Sequence, residues 1–324
     1  PRGNIFFQDK FDEVDGLYLA ATNKEWPLLY AVPKEIEDPE LAASALSGIL
    51  YGTEASNALE DDLLGKLDSK DDPYEFIARK VSNENVEKIK SLELEGIYIG
   101  GEKLRHYPAQ GLAGHILGFV GFRGDERVGQ YGVEGFYDDK LRGGKDDLTL
   151  SIDYNIQFML SSILKEAEKR LEADAASAIV INPKTGEIIA LSHSNSFDPN
   201  NYSEVENIDT FLNDISQKIF EPGSVFKPFT VAAALNEDKI TPVTKYEDKG
   251  YVSKSGHTIR NSNDRTYGVK NMTEVLEISI NTGAVYMEEQ IGHDAFREYI
   301  KEFGFGDRTG VDLQGEAPGD IRNI

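Results

Sequence analysis

The chain has 324 residues, 40% of them hydrophobic and 28% charged. That is globular composition, long for one domain and sufficient for two. Lys plus Arg number 34 against 57 Asp plus Glu, a net charge of −23. A surface this acidic repels phosphate backbones and anionic headgroups and no basic stripe offsets it, which argues against nucleic acid and anionic lipid as partners. The absence of cysteine excludes disulfides, thiolate catalysis and cysteine-ligated metal.

The five histidines (His106, His115, His193, His257, His293) are scattered and form no HExxH-type pair, so neither a metal nor a cofactor is expected. No apolar run approaches the ~18 residues of a membrane span, and there is no signal peptide. The sequence opens at Pro1 rather than methionine and closes at Ile324 without a helix cap or polar tail. A longer parent, cut at both ends, is the expectation.

In chain order, residues 1–32 read as short strands and turns, with strands at Asn4–Phe7 and Gly16–Ala20. Acidic helical segments follow at Asp38–Tyr51 and Asp61–Leu67. Asp72-Pro73-Tyr74 reads as the opening of another, with proline in a permitted first-turn position, and Asn83–Leu92 as a fourth. Ten glycines crowd between Gly111 and Gly144, a sign of tight turns and close backbone approach. Lys140–Lys145 marks a boundary. Asp147–Ile152 then reads as a strand and Asn155–Ala173 as a long helix. Ala178–Asn182 and Glu187–Leu191 form a hairpin about Pro183–Gly186. Its continuous apolar character predicts burial on both faces, and the mixture of elements predicts an α+β fold.

The chemistry centres on Glu221-Pro222-Gly223-Ser224-Val225-Phe226-Lys227-Pro228 and the alanine-rich helix after it. Ser224 falls at a helix N-terminus with Lys227 one turn on, on the same face. A serine hydroxyl is a weak nucleophile and needs a base; a lysine whose pKa is lowered by burial can supply it. The helix N-terminus favours a developing oxyanion. A Ser and a Lys three apart on a helix are often accidental. The Pro-Gly approach, the helix-start placement and Pro228 make this pair specific. Ser279-Ile280-Asn281-Thr282-Gly283 lies 55 residues downstream, after a helix at Met272–Ile278 and before an element opened by Gly283. Alone it would be a cap or a turn. Beside the first motif it offers a hydroxyl to relay a proton and a carboxamide that can hold a peptide bond through donor and acceptor.

With these motifs the chain resembles the class B penicillin-binding proteins, whose superfamily carries the Ser-x-x-Lys signature. The resemblance runs through Pro1-Arg2-Gly3-Asn4-Ile5, Arg105-His106-Tyr107-Pro108, Ala113–Gly121, Gly132-Val133-Glu134-Gly135-Phe136-Tyr137, Leu150–Asp153 and Gln157. It implies a mixed, non-catalytic pedestal of the dimerisation type over 1–145. After it, over 146–324, comes an incomplete transpeptidase domain with a central antiparallel sheet flanked by helices. It implies an acyl-enzyme on Ser224, Lys227 as base, Ser279 as proton relay and Asn281 on the substrate amide. The implied partners are peptidoglycan stem peptides ending in D-Ala-D-Ala, β-lactam antibiotics, and membrane-embedded cell-wall synthesis proteins at the outer face of the cytoplasmic membrane. One part of the family pattern is missing: no Lys-[Ser/Thr]-Gly follows Ser279. Lys184-Thr185-Gly186 precedes the other motifs and reads as a hairpin turn. Activity of the chain as it stands is therefore in question. A β-lactamase, a D,D-carboxypeptidase and a non-catalytic cell-wall scaffold are the alternatives.

Overall fold

The computed structural model describes residues 2–9, 16–54, 56–124, 126–144, 146–254 and 256–322. Pro1, Lys145 and Asn323–Ile324, on which parts of the sequence reading fall, lie outside the described residues. The chain forms two compact units, 1–211 and 212–324.

In the first unit β1 (Ile5–Gln8) pairs antiparallel with the start of β2 (Leu17–Ala31). The sequence suggests a strand only as far as Ala20, because polar residues and Pro27 disguise the rest. Pro27 is tolerated because β2 there pairs with a single neighbouring strand; its second neighbour joins only from Leu29. Helix α1 (Pro39–Tyr51) starts on an Asp38 side chain that accepts from the Leu41 N–H, with proline in its first turn. Ser56 caps α2 (Asn57–Leu67), four residues earlier than expected. The helix expected at Asp72-Pro73-Tyr74 is instead a turn: Asp72 Oδ1 accepts from the Tyr74 N–H, 2.9 Å. The chain then extends as β3 (Glu75–Ala78) along Leu29–Ala31 of β2. After α3 (Asn83–Ser91), β4 (Ile97–His106) pairs with ten consecutive residues of β2. Leu46, Leu63, Leu67, Val86 and Ile89 of the helices share one core with Leu29, Ala31 and Ile77 of the strands.

The glycine-rich stretch folds as α4 (Gly114–Leu117), the hairpin β5 (Phe119–Arg123) and β6 (Glu126–Gln130), α5 (Gly132–Phe136) and α6 (Asp138–Leu141). Gly118 has φ +69°, and a Cβ on Gly129 would collide with the Glu134 carbonyl. Glu134 is fully buried. It accepts from Arg2 Nε and Arg105 Nε, both at 2.6 Å, while Asp138 accepts from Arg2 Nη1, also at 2.6 Å. Three segments far apart in sequence thus close on one buried ionic cluster.

Strand β7 (Leu148–Asp153) runs parallel to β1, so the sheet has order β3-β2-β1-β7, with β4 also on β2, and is mixed. Asp153 caps α7 (Tyr154–Leu171), which packs on the hairpin of β8 (Ser177–Ile181) and β9 (Ile188–His193). Gln157, wholly buried, bonds both ways to the Leu191 backbone at 2.8 and 2.9 Å. The expectation that both hairpin strands are buried on both faces fails for β8, where Ile179 and Ile181 are 39% and 48% exposed. Among the described residues β8 pairs with β9 alone, and α7 covers chiefly β9. Lys184-Thr185-Gly186 forms the exposed turn, with the Gly186 N–H on the Asn182 carbonyl at 2.8 Å. The fold class is α+β, as expected.

The second unit holds α8 (Asp214–Gln217), α9 (Lys227–Asn236), β10 (Lys245–Asp248), β11 (Tyr251–Lys254), β12 (His257–Arg260), β13 (Gly268–Asn271), α10 (Met272–Ile278), α11 (Asn281–Ile291) and α12 (His293–Glu302). β10 pairs with β13 and β11 with β12, both antiparallel. Ala233 and Ala234 of α9, Met272 and Val275 of α10, and Met287 and Ile291 of α11 form its core with Ile280.

Candidate active site

The site is built on α9 and on the turn between α10 and α11. Gly223–Phe226 is a single 3-10 turn running directly into α9, and Gly223 adopts φ +64°, which a side chain would strain. That turn presents Ser224 to solvent and leaves Lys227 buried, one turn on. Pro228 sits in the first turn of α9, where no helical hydrogen bond is lost. Small Ala233 and Ala234 let α9 lie close on α11, which brings the second motif to the first.

A capping box starts α10: Asn271 Oδ1 accepts from the Glu274 N–H and Glu274 accepts from the Asn271 N–H, both 2.9 Å. The helix ends at Ser279 in the left-handed region, φ +62°, ψ +48°. Its N–H bonds the Leu276 carbonyl and the Ile280 N–H bonds the Val275 carbonyl, the paired bonds of a Schellman ending. Glycine usually fills that position. A serine there carries a local strain that glycine would not. Helix α11 begins at Asn281, two residues before the expected start at Gly283. Gly283 is required for a different reason: a Cβ would lie 2.5 Å from Val275 Cγ1 of α10.

Lys227 Nζ gathers the other three candidate side chains. It lies 3.3 Å from Ser224 Oγ and 2.9 Å from Ser279 Oγ, and it donates to the Ser279 carbonyl at 2.7 Å and to Asn281 Oδ1 at 2.6 Å. Four oxygens surround a group that has three N–H bonds even when charged. Burial pushes the lysine pKa down from its ordinary value. A deprotonated amine here can turn its lone pair to the Ser224 hydroxyl and keep two of its other contacts. Asn281 is held at both ends, its Nδ2 donating to the Arg260 carbonyl of β12 at 2.8 Å. Sequence reasoning missed Arg260 because its part is played by a backbone oxygen, which leaves no residue signature. It also missed the buried side chains behind Asn281, of which Thr282, within the second motif, was the one hint. No group of three or more His, Asp or Glu among the described residues is placed to hold a metal.

An exposed serine at a helix start, a buried lysine beside it and a Ser-x-Asn turn against that lysine form a layout suited to serine acyl transfer. Residues 176–323 match the penicillin binding protein transpeptidase domain, and residues 1–157 match the penicillin-binding protein dimerisation domain. The chain belongs to the class B penicillin-binding proteins. It is 32% identical over 350 residues to stage V sporulation protein D of Bacillus subtilis, covering 98% of this chain and 52% of that protein. It is 29% identical to the peptidoglycan D,D-transpeptidase MrdA of Acinetobacter baumannii, over 75% of this chain and 43% of that one. To the peptidoglycan D,D-transpeptidase FtsI of Escherichia coli K12 it is 28% identical, over 90% and 53%. The chain thus spans about half the length of the curated relatives it matches. No helix of the described residues is long and apolar enough to cross a membrane.

Proposed function

We propose that this chain carries the first part of a peptidoglycan D,D-transpeptidase that works through an acyl-enzyme on Ser224. The observation behind the proposal is the set of contacts of Lys227 Nζ with Ser224, Ser279 and Asn281. In this reading Lys227 takes the Ser224 proton as Oγ attacks the carbonyl of the penultimate D-Ala of a stem peptide. Ser279 passes that proton to the departing nitrogen, the C–N bond breaks and D-Ala leaves. An amine of a second stem peptide attacks the ester, forms the cross-link and returns the Ser224 hydroxyl. Asn281 holds a peptide bond of the donor through its carboxamide. A β-lactam acylates the same oxygen, its ring C–N bond opening in place of the peptide. Residues 1–145 would serve as pedestal and 146–324 as transpeptidase domain. The whole protein would work at the outer face of the cytoplasmic membrane, beside membrane-embedded cell-wall synthesis proteins.

The test is intact mass after incubation with a reporter penicillin, on this chain and on the full-length protein, with Ser224→Ala beside each. One penicillin adduct on the full-length parent, absent from Ser224→Ala, is expected. An adduct that persists in Ser224→Ala, or none on the full-length protein, overturns the proposal. The result for the 324-residue chain separately shows whether the residues in hand suffice.

A further inference from the structure

Behind Asn281 lies a carboxylate that the mechanism does not use. Asp248, at the end of β10, is 1% exposed. Its Oδ1 accepts from the Thr282 hydroxyl at 2.7 Å and the Gly250 N–H at 2.9 Å. Its Oδ2 accepts from the Tyr267 N–H at 2.7 Å and Asn261 Nδ2 at 2.9 Å. All four donors are neutral. Burying a charge is costly unless hydrogen bonds satisfy it, and a network that does so fully fixes the geometry of its members. Burial alone would raise its pKa. The bonds from Thr282, Gly250, Tyr267 and Asn261 outweigh that and hold the carboxyl below its ordinary value.

Two of the four donors flank Asn281. Thr282 follows it directly, and the Thr282 N–H and hydroxyl also reach Asn261 Oδ1, both at 3.2 Å. Asn261 follows Arg260, whose carbonyl receives Asn281 Nδ2. Asp248 therefore ties the start of α11 to the end of β12, the two backbone segments that fix the plane of the Asn281 carboxamide. With Nδ2 on the Arg260 carbonyl, Oδ1 must face Lys227.

We propose that Asp248 is a positioning residue for the Ser-x-Asn arm, setting the orientation in which Asn281 meets the amide of a substrate or β-lactam. The inference rests on the reading of Asn281 as the group that holds that amide. Asparagine at 248 keeps the size but presents an NH2 to donors that need acceptors. Valine at 282 keeps the shape and removes one donor, and serine at 282 keeps the hydroxyl.

The experiment measures acylation rates on the full-length protein with two β-lactams: benzylpenicillin, which carries a side-chain amide, and 6-aminopenicillanic acid, which lacks it. For Asp248→Asn and Thr282→Val, about a tenfold loss is expected with benzylpenicillin and less than twofold with 6-aminopenicillanic acid. Asn281→Ala should show the same discrimination and Thr282→Ser should retain the parent rates. Equal losses on both compounds would mean that Asp248 merely stabilises the fold, and no loss would mean that it does nothing for the site; either overturns the inference. Should Asp248→Asn fail to fold, Thr282→Val decides alone. A parent acylated at Ser224 whose Asn281→Ala variant does not discriminate removes the role of Asn281 and this inference with it. A parent not acylated at all removes the proposed function itself.

Discussion

At the scale of single residues, Lys227 is the point on which the candidate site converges. Its pKa is lowered by burial, so the folded state binds fewer protons there than the unfolded state over the interval between the two values. Stability therefore rises with pH across that interval, and below it the full cost of charging the buried amine persists. In the proposed mechanism acylation follows the same titration: the rate of penicillin adduct formation should rise with pH, with a midpoint below the ordinary lysine value of about 10.4. Lys227→Arg keeps a charge but cannot release its proton, and should lower that rate by about 10²–10⁴-fold. That the four candidate side chains meet was legible because each motif fixes its own geometry locally, Ser224 and Lys227 through one helical turn and Ser279 and Asn281 through one tight turn. Asp248, Asn261 and the Arg260 carbonyl were not. They act through contacts 21 to 34 residues apart in sequence, with ordinary strand and loop residues as carriers.

At the scale of elements, the joint between α10 and α11 sets the distance between the two motifs. Gly283→Ala would press a methyl against Val275, a stiff β-branched neighbour, and should destabilise by about 1–3 kcal/mol in a denaturant melt. Asn271→Ala removes the cap of α10 and should cost about 1 kcal/mol in the same assay. Helices with caps and apolar periodicity, such as α1 and α7, were readable to within a few residues. Strand β2 was not, since a strand that carries Thr22–Glu25 and Pro27 owes its existence to the partners beside it rather than to its own propensity. The turn at Asp72 deceived for the opposite reason. Asp-Pro can open a helix or a turn, and the pairing of Glu75–Ala78 with β2 decided the matter. His115 and His193, far apart in sequence, meet at a tilt of 55° with ring centres 4.5 Å apart, a contact that no spacing announces.

At the scale of the molecule, charge and buried ions dominate. With a net charge of −23, self-repulsion opposes compaction. It weakens as the screening length falls from about 30 Å at 0.01 M salt to about 8 Å at 0.15 M. The melting temperature should rise by a few degrees over that range, and a melt that ignores salt would contradict this. In the first unit Glu134→Ala would leave Arg2 and Arg105 buried without their shared carboxylate and should destabilise by about 3–5 kcal/mol. The resemblance quoted Arg2, Arg105 and Glu134 as parts of three separate motifs, and their convergence became visible only once the chain was folded.

The parallel pairing of β1 with β7, Ile5 opposite Leu148, also sets a timetable. During synthesis at about 5–20 residues per second, β1 can meet β2 early but waits roughly 7–30 s for this second partner to be made. In refolding, a loop of that span must close before the pair gains anything. Ile5 and Phe7, fully buried at the end, stay open to wrong partners until then. In pulse-labelled hydrogen exchange the β1 amides that bond to β7, unlike those that bond to the nearby β2, should gain protection well after those of the local β5–β6 hairpin.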